Sequence, residues 1–93
     1  MSVTRISEFR ARAGKSDELR AFLVSIVPGI ASSPGCQSAQ LLQGHDDPAR
    51  FVVIEVWDSM DAHQASVKNI PPEAVTSIMP LLDSPPRGDY FHT

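Results

Sequence analysis

A chain of 93 residues with 42% hydrophobic content can fill one core, so a single domain spanning residues 1–93 is expected, small enough to be marginal without outside help. Eight basic residues stand against eleven acidic ones, for a net charge of −3. The basic residues of the first twenty positions (Arg5, Arg10, Arg12, Lys15, Arg20) are diluted by Glu8, Asp17 and Glu18, and without a basic stripe or interleaved aromatics no nucleic-acid partner is expected. The longest apolar stretch, Phe22 to Ala31, is broken by Ser25 and Pro28-Gly29 and is far short of the roughly 20 residues a bilayer requires. A lone Cys36 and a polar beginning without an apolar signal core point to a cytoplasmic setting and no membrane.

The first element is a strand over Val3–Arg12, favoured by Thr4 and the closing Gly14. A helix follows. Leu19, Phe22, Leu23, Ile26, Val27 and Ile30 recur at i, i+3, i+4, i+7, i+8 and i+11, a stripe wide enough to cover one face of a sheet. Ser16 is the expected N-cap, Asp17 and Glu18 supply first-turn charge, and Pro28 should remove one helical hydrogen bond. Pro34-Gly35 ends the element. Cys36–Gln43 reads as a second, more polar strand, and Gly44–Ala49, with Asp46-Asp47-Pro48, as the turn of an antiparallel hairpin.

The third strand, Phe51–Trp57, is almost entirely β-branched or aromatic. Its alternation places Val52, Ile54 and Val56 on one face and Phe51, Val53, Glu55 and Trp57 on the other. Both faces therefore require a cover. Asp58 and Ser59 are N-cap residues for a second helix on which Met60, His63, Val67 and Ile70 share the apolar stripe. Pro72 opens a short third helix whose Val75, Ile78, Met79 and Leu82 form another stripe, interrupted by Pro80. Asp83–Gly88 is a connector, and Asp89–Thr93 is a fourth strand added at a sheet edge.

The order β-α-β-β-α(α)-β defines an α+β, ferredoxin-like split βαβ class: a four-stranded antiparallel sheet with helices on one face. Helices on one side cannot cover both apolar faces of Phe51–Trp57, so a second sheet from an identical subunit is the expected cover. This makes the protein a homodimer, a dimeric α+β barrel.

Several segments together carry a family resemblance that spans nearly the whole chain: strand 1 followed by Ala13-Gly14-Lys15, the Pro34-Gly35-Cys36 step, the Asp46-Asp47-Pro48-Ala49-Arg50-Phe51 hairpin, and Glu55-Val56-Trp57-Asp58-Ser59 leading to Ala62-His63. In these the chain resembles the antibiotic biosynthesis monooxygenase domains, small dimeric ferredoxin-like proteins. The resemblance implies oxygen-dependent oxidation of phenolic or hydroquinone-like substrates with no metal or flavin. Members with proposed catalytic roles often carry a second His three residues after the first, where this chain has Ser66. The haem-degrading branch places Asn, Trp and His where this chain has Ser7, Ser66 and Thr76, which disfavours haem cleavage.

The residues themselves suggest a pocket. A cofactor-free oxygenase must take a proton from an electron-rich aromatic and shield the anion from water. His63 is the natural base, and Trp57 offers an aromatic wall and an indole donor. Trp57 ends its strand as the second helix begins, so the two rings are expected to converge on one pocket between the sheet and its helices. Phe9, Phe22, Glu55, Met60 and His92 are the candidate substrate-binding residues around this pair. Each also has a structural reading: His63 and Trp57 as core residues, and Glu55 as the partner of Arg5 or Arg10. Three histidines at 45, 63 and 92 show no metal-ligand spacing, and no glycine loop for a phosphate is present, so no metal and no cofactor are expected. Three functions fit: a cofactor-independent monooxygenase of a phenolic, anthrone or quinol-like small aromatic, a non-catalytic dimeric ligand-binding or accessory protein, and an isomerase of a small acid or lactone.

Overall fold

In the computed structural model, which describes residues 2–93, the elements run β1 (Val3–Arg10), α1 (Ser16–Ala31), β2 (Cys36–Gln43), β3 (Arg50–Trp57), α2 (Met60–Val67), α3 (Pro72–Ile78), a 3₁₀ turn (Met79–Leu81) and β4 (Arg87–Phe91). The four strands form one sheet in the order β2-β3-β1-β4, every neighbouring pair antiparallel. This is the ferredoxin-like α+β arrangement expected from the element order.

Register decides which side chains share a face. β1 pairs with β3 from Val3↔Trp57 to Arg10↔Arg50, placing Arg5 opposite Glu55 and Phe9 opposite Phe51. β4 pairs with the other edge of β1, with Arg5 opposite Tyr90 and Ser7 opposite Gly88. Phe51, Val53, Glu55 and Trp57 are buried and alternate with the half-buried Val52, Ile54 and Val56, as period-2 geometry requires. The helices cover the first set. Leu19 and Leu23 of α1 are fully buried against Phe51 and Val53, with Ala11 and Leu82 completing the core. A Leu→Ala change at either position should cost about 2–5 kcal/mol.

Several boundaries differ from expectation. The first strand stops at Arg10, and Ala11 forms only an isolated bridge to Leu82, because the chain turns there to bring the 78–82 segment onto the core. Ser16 is the first residue of α1 rather than its cap, a position held by Lys15 without a side-chain capping bond. The last strand begins at Arg87, so Arg87 and Gly88 are strand residues while His92 and Thr93 lie beyond it. The second apolar stripe is the largest departure. Only His63 of that set is buried, whereas Met60, Val67 and Ile70 are 46%, 46% and 49% exposed. With eight residues α2 makes little more than two turns, too few to lay a continuous stripe on the sheet. α3 has no buried residue; Val75 is exposed, Ile78 packs half-buried against the core and Leu82 is the buried member of the stripe.

The junction from β3 to α2 is locally built. Ser59 caps α2 by accepting from the Ala62 backbone N–H at 3.1 Å. Gly35, with φ +83°, lies where an added Cβ would be 2.7 Å from the Ala62 Cβ, so a glycine there both permits the left-handed turn after α1 and lets α2 approach. Among the described residues no helix is long and apolar enough to cross a membrane.

Candidate functional site

The helix-facing side of the sheet holds a polar cluster at the end where β3 passes into α2. Its members come from four elements: Arg5 of β1, Glu55 and Trp57 of β3, His63 of α2 and Tyr90 of β4. Trp57 is 1% exposed, Glu55 7% and His63 8%. The pair expected to converge on one pocket is in ring contact, but neither residue lines a concavity among the described residues. The Trp57 and His63 rings meet edge to face with centroids 5.4 Å apart, a favoured aromatic geometry.

Apart from Arg5, these side chains engage one another in two hydrogen bonds. The indole Nε1–H of Trp57 donates to Oε1 of Glu55 at 2.9 Å, so the indole is a partner of the carboxylate rather than a free donor. His63 Nδ1 lies 2.7 Å from the Tyr90 hydroxyl, and the Tyr90 ring also meets the imidazole edge to face at 5.4 Å. Arg5 places its guanidinium carbon 4.8 Å from the Tyr90 ring centroid, within cation–π range.

Electrostatics follow from burial. Glu55 is pushed above the ordinary carboxylate range by desolvation, against which the Trp57 hydrogen bond and the Arg5 charge act more weakly. His63 is pushed below the ordinary imidazole range, first by burial and then by the Arg5 charge. The imidazole is thus neutral at pH 7 and able to accept a proton.

Of the other candidate residues, Phe9 and Phe22 pack against the core cluster. Phe9 sits opposite Phe51, at the far end of β3 from Trp57, so these two rings line the core rather than the polar cluster. Met60 and His92 border a shallow concavity of about 270 Å³ with Val3, Ser59 and Asp61. A second, of about 330 Å³, lies over Gly35, Ala62 and Ser66. Neither is lined by Trp57 or His63, which are closed over by their own neighbours. Arg10, one of the two partners weighed for Glu55, is instead paired with Asp47 at 2.7 Å. Tyr90 is the cluster member for which the sequence supplies a face but no partner. Its period-2 spacing from Gly88 and His92 put it on one face of the strand, but 27 residues separate it from His63, and no local pattern links them. Among the described residues no group of three or more His, Cys, Asp or Glu side chains could hold a metal ion.

The model of the antibiotic biosynthesis monooxygenase family matches residues 2–74. The chain belongs to this family. A structure from Chloroflexus aurantiacus, described as a candidate antibiotic biosynthesis monooxygenase, is 31% identical with a TM-score of 0.77, the match covering 100% of this chain and 95% of that one. A Mycobacterium tuberculosis structure shares 22% identity at a TM-score of 0.85, covering 100% and 95%. SnoaB of Streptomyces nogalater, a cofactor-independent oxygenase, shares 22% identity at a TM-score of 0.82, covering 99% and 92%. At 22% identity these last two are likenesses of fold. No curated protein matches the chain. In antibiotic biosynthesis monooxygenase terms, Arg5, Glu55, Trp57 and His63 lie inside the matched segment, while Gly88 and Tyr90 lie beyond it.

Proposed function

We propose that this member of the antibiotic biosynthesis monooxygenase family is a cofactor-independent monooxygenase that oxidises a phenolic, anthrone or quinol-like aromatic with O2 and works as a homodimer. One observation carries the reading: His63, depressed in pKa and buried, is held by Tyr90 and flanked by the Trp57 edge. A neutral imidazole with one nitrogen anchored is arranged as a general base. In the productive tautomer Nδ1–H donates to the Tyr90 oxygen, leaving the Nε2 lone pair to take the substrate proton.

The rest of the reaction follows from the substrate. Deprotonation at an anthrone methylene, eased by the conjugated phenols, gives a carbanion that passes one electron to O2. The radical pair then forms a C–O bond, and loss of the second methylene hydrogen as a proton breaks the O–O bond. Methylene plus O2 becomes carbonyl plus water, all four electrons coming from the carbon, so no external reductant enters the balance. The protein's part is to hold the proton on His63 and keep water from the anion.

The open sheet face supports the dimer. Ile6, Val52, Ile54 and Val56 lie there in register, with Leu42 and Phe91 at its flanks 45% and 48% exposed. A second sheet laid on this face would bury them.

A non-catalytic ligand-binding or accessory role is favoured by one feature, the closure of the cluster: Trp57 and His63 line neither concavity, and Ser66 instead turns its hydroxyl to the His63 carbonyl at 2.7 Å. Oxygen uptake by metal-stripped protein over a panel of quinols and anthrones separates the two. Uptake that vanishes in His63→Ala supports the oxygenase. Ligand binding without uptake across the panel supports the binding role.

A further inference from the structure

Arg5 is the one member of the cluster with a fully buried polar atom left unmatched among the described residues. Among the described residues its side chain makes no hydrogen bond, its buried Nε has no partner, and it belongs to none of the ion pairs, all of which lie on more exposed residues. Glu55 stands directly across from it in the sheet, yet the carboxylate takes its hydrogen bond from Trp57. A partly desolvated guanidinium without an acceptor is costly, since even a neutral orphaned donor costs about 1–3 kcal/mol.

The side chain is half-buried, and its Nε is shut off from solvent. Its guanidinium rests on the Tyr90 ring and over Gly88, where an added Cβ would lie 2.6 Å from the guanidinium carbon and 2.9 Å from Nε. A side chain at this position would displace the guanidinium. The position is therefore built by two strands: β1 supplies the charge, and β4 supplies the cradle and the aromatic floor. Such an arrangement fits an anionic oxygen better than an internal salt bridge, for burial drives Glu55 towards its neutral form and His63 is neutral beside it.

We propose that Arg5 is the anion-binding residue of this site, and that the protein takes its aromatic ligand as the oxyanion, the phenolate or enolate form, in preference to the neutral phenol. This rests on the aromatic-ligand reading above and adds to it the charge state of the ligand and the residue that selects it. An oxyanion at the Arg5 guanidinium would receive a charge-assisted hydrogen bond, and the bound phenol would ionise more readily than the free one.

The test uses a hydroxyanthraquinone dye, whose phenol and phenolate differ in colour and whose ring carbonyls are already oxidised, so that turnover plays no part. Bound to the wild-type protein, the dye should titrate at least one pH unit below the free dye, an anion preference of about tenfold or more. Its methyl ether, which cannot ionise, should bind about tenfold more weakly. Arg5→Gln should abolish the shift, Arg5→Lys should keep part of it, and Gly88→Ala, which keeps the charge but fills its cradle, should diminish it. The ether comparison needs no variant and so stands if a variant fails to fold. Binding of the dye with an unshifted titration, or equal binding of the ether, overturns the role of Arg5 and leaves the oxygenase reading intact. A shift that persists in folded Arg5→Gln overturns it as well. No binding of dye or ether overturns both.

Discussion

His63 Nδ1 and Tyr90 Oη lie 2.7 Å apart, and this bond ties the short helix after the third strand to the last strand of the sheet. It fixes the plane of the imidazole and, in the proposed mechanism, leaves Nε2 as the nitrogen for a substrate proton. Tyr90→Phe should therefore lower kcat more than it raises KM, and His63→Ala should lower kcat by about 10²–10⁴-fold. Tyr90→Phe should also shift the His63 ring nitrogen resonances, a change that loss of packing alone does not produce. Wild-type turnover in both variants, at unchanged stability, would remove His63 from the mechanism.

With His63 as the proposed base, its lowered pKa should set the acid limb of activity. The proposed base is the neutral imidazole, so activity should be lost as pH falls through a value below the ordinary 6.5. Stability moves the same way: between the folded and unfolded pKa values the unfolded chain binds more protons, so stability rises with pH across that window. Arg5→Gln removes one of the two causes of the depression and should move the activity limb to higher pH. A limb that stays in place would show that burial alone sets it.

Glu55 has the opposite sign. Its folded pKa is raised above 4.5, so the native state retains a proton that the unfolded chain releases. The associated stability is fully present below pH 4.5 and is lost as pH rises through the folded pKa. Glu55→Gln should flatten that fall, measured as urea midpoints over this pH range. Parallel pH profiles of the two proteins would refute it.

Trp57 combines core and network roles. Trp57→Ala should destabilise the fold by about 3–5 kcal/mol. Trp57→Phe keeps most of the ring but leaves the Glu55 carboxyl without its donor, at about 1–3 kcal/mol. In a double-mutant cycle with Glu55→Leu, which removes the acceptor, the two changes should couple by about 0.5–3 kcal/mol. Strict additivity in urea unfolding would mean that the indole–carboxylate bond contributes nothing.

The dimer is checked by sedimentation. The protein should run at twice its 10.1 kDa chain mass, and Ile54→Glu, which places a charge at the centre of the open sheet face, should dissociate it. A monomer at micromolar concentration would refute the dimer, and a dimer indifferent to Ile54→Glu would place its interface elsewhere.

What the sequence by itself determined is what short-range periodicity controls. Alternation along residues 51–57 put Glu55 and Trp57 on one face together, the i, i+3, i+4 spacing brought Leu19 and Leu23 onto the sheet, and the cap at Ser59 turned His63 back over the strand end, each within one or two turns of chain. The partners of those residues were decided by tertiary structure. Arg5 rather than Arg10 faces Glu55 because the β1–β3 register runs from Val3↔Trp57, and Tyr90 meets His63 because β4 joins the free edge of β1 with Arg5 opposite it. A strand's own pattern names the face a side chain takes but not the strand beside it or the residue across from it, and a one-residue slip would reverse both. The indole went to Glu55 for the same kind of reason. Once the helices close over the sheet, a buried donor and a buried acceptor two residues apart satisfy each other, and that closure depends on the packing of the whole chain.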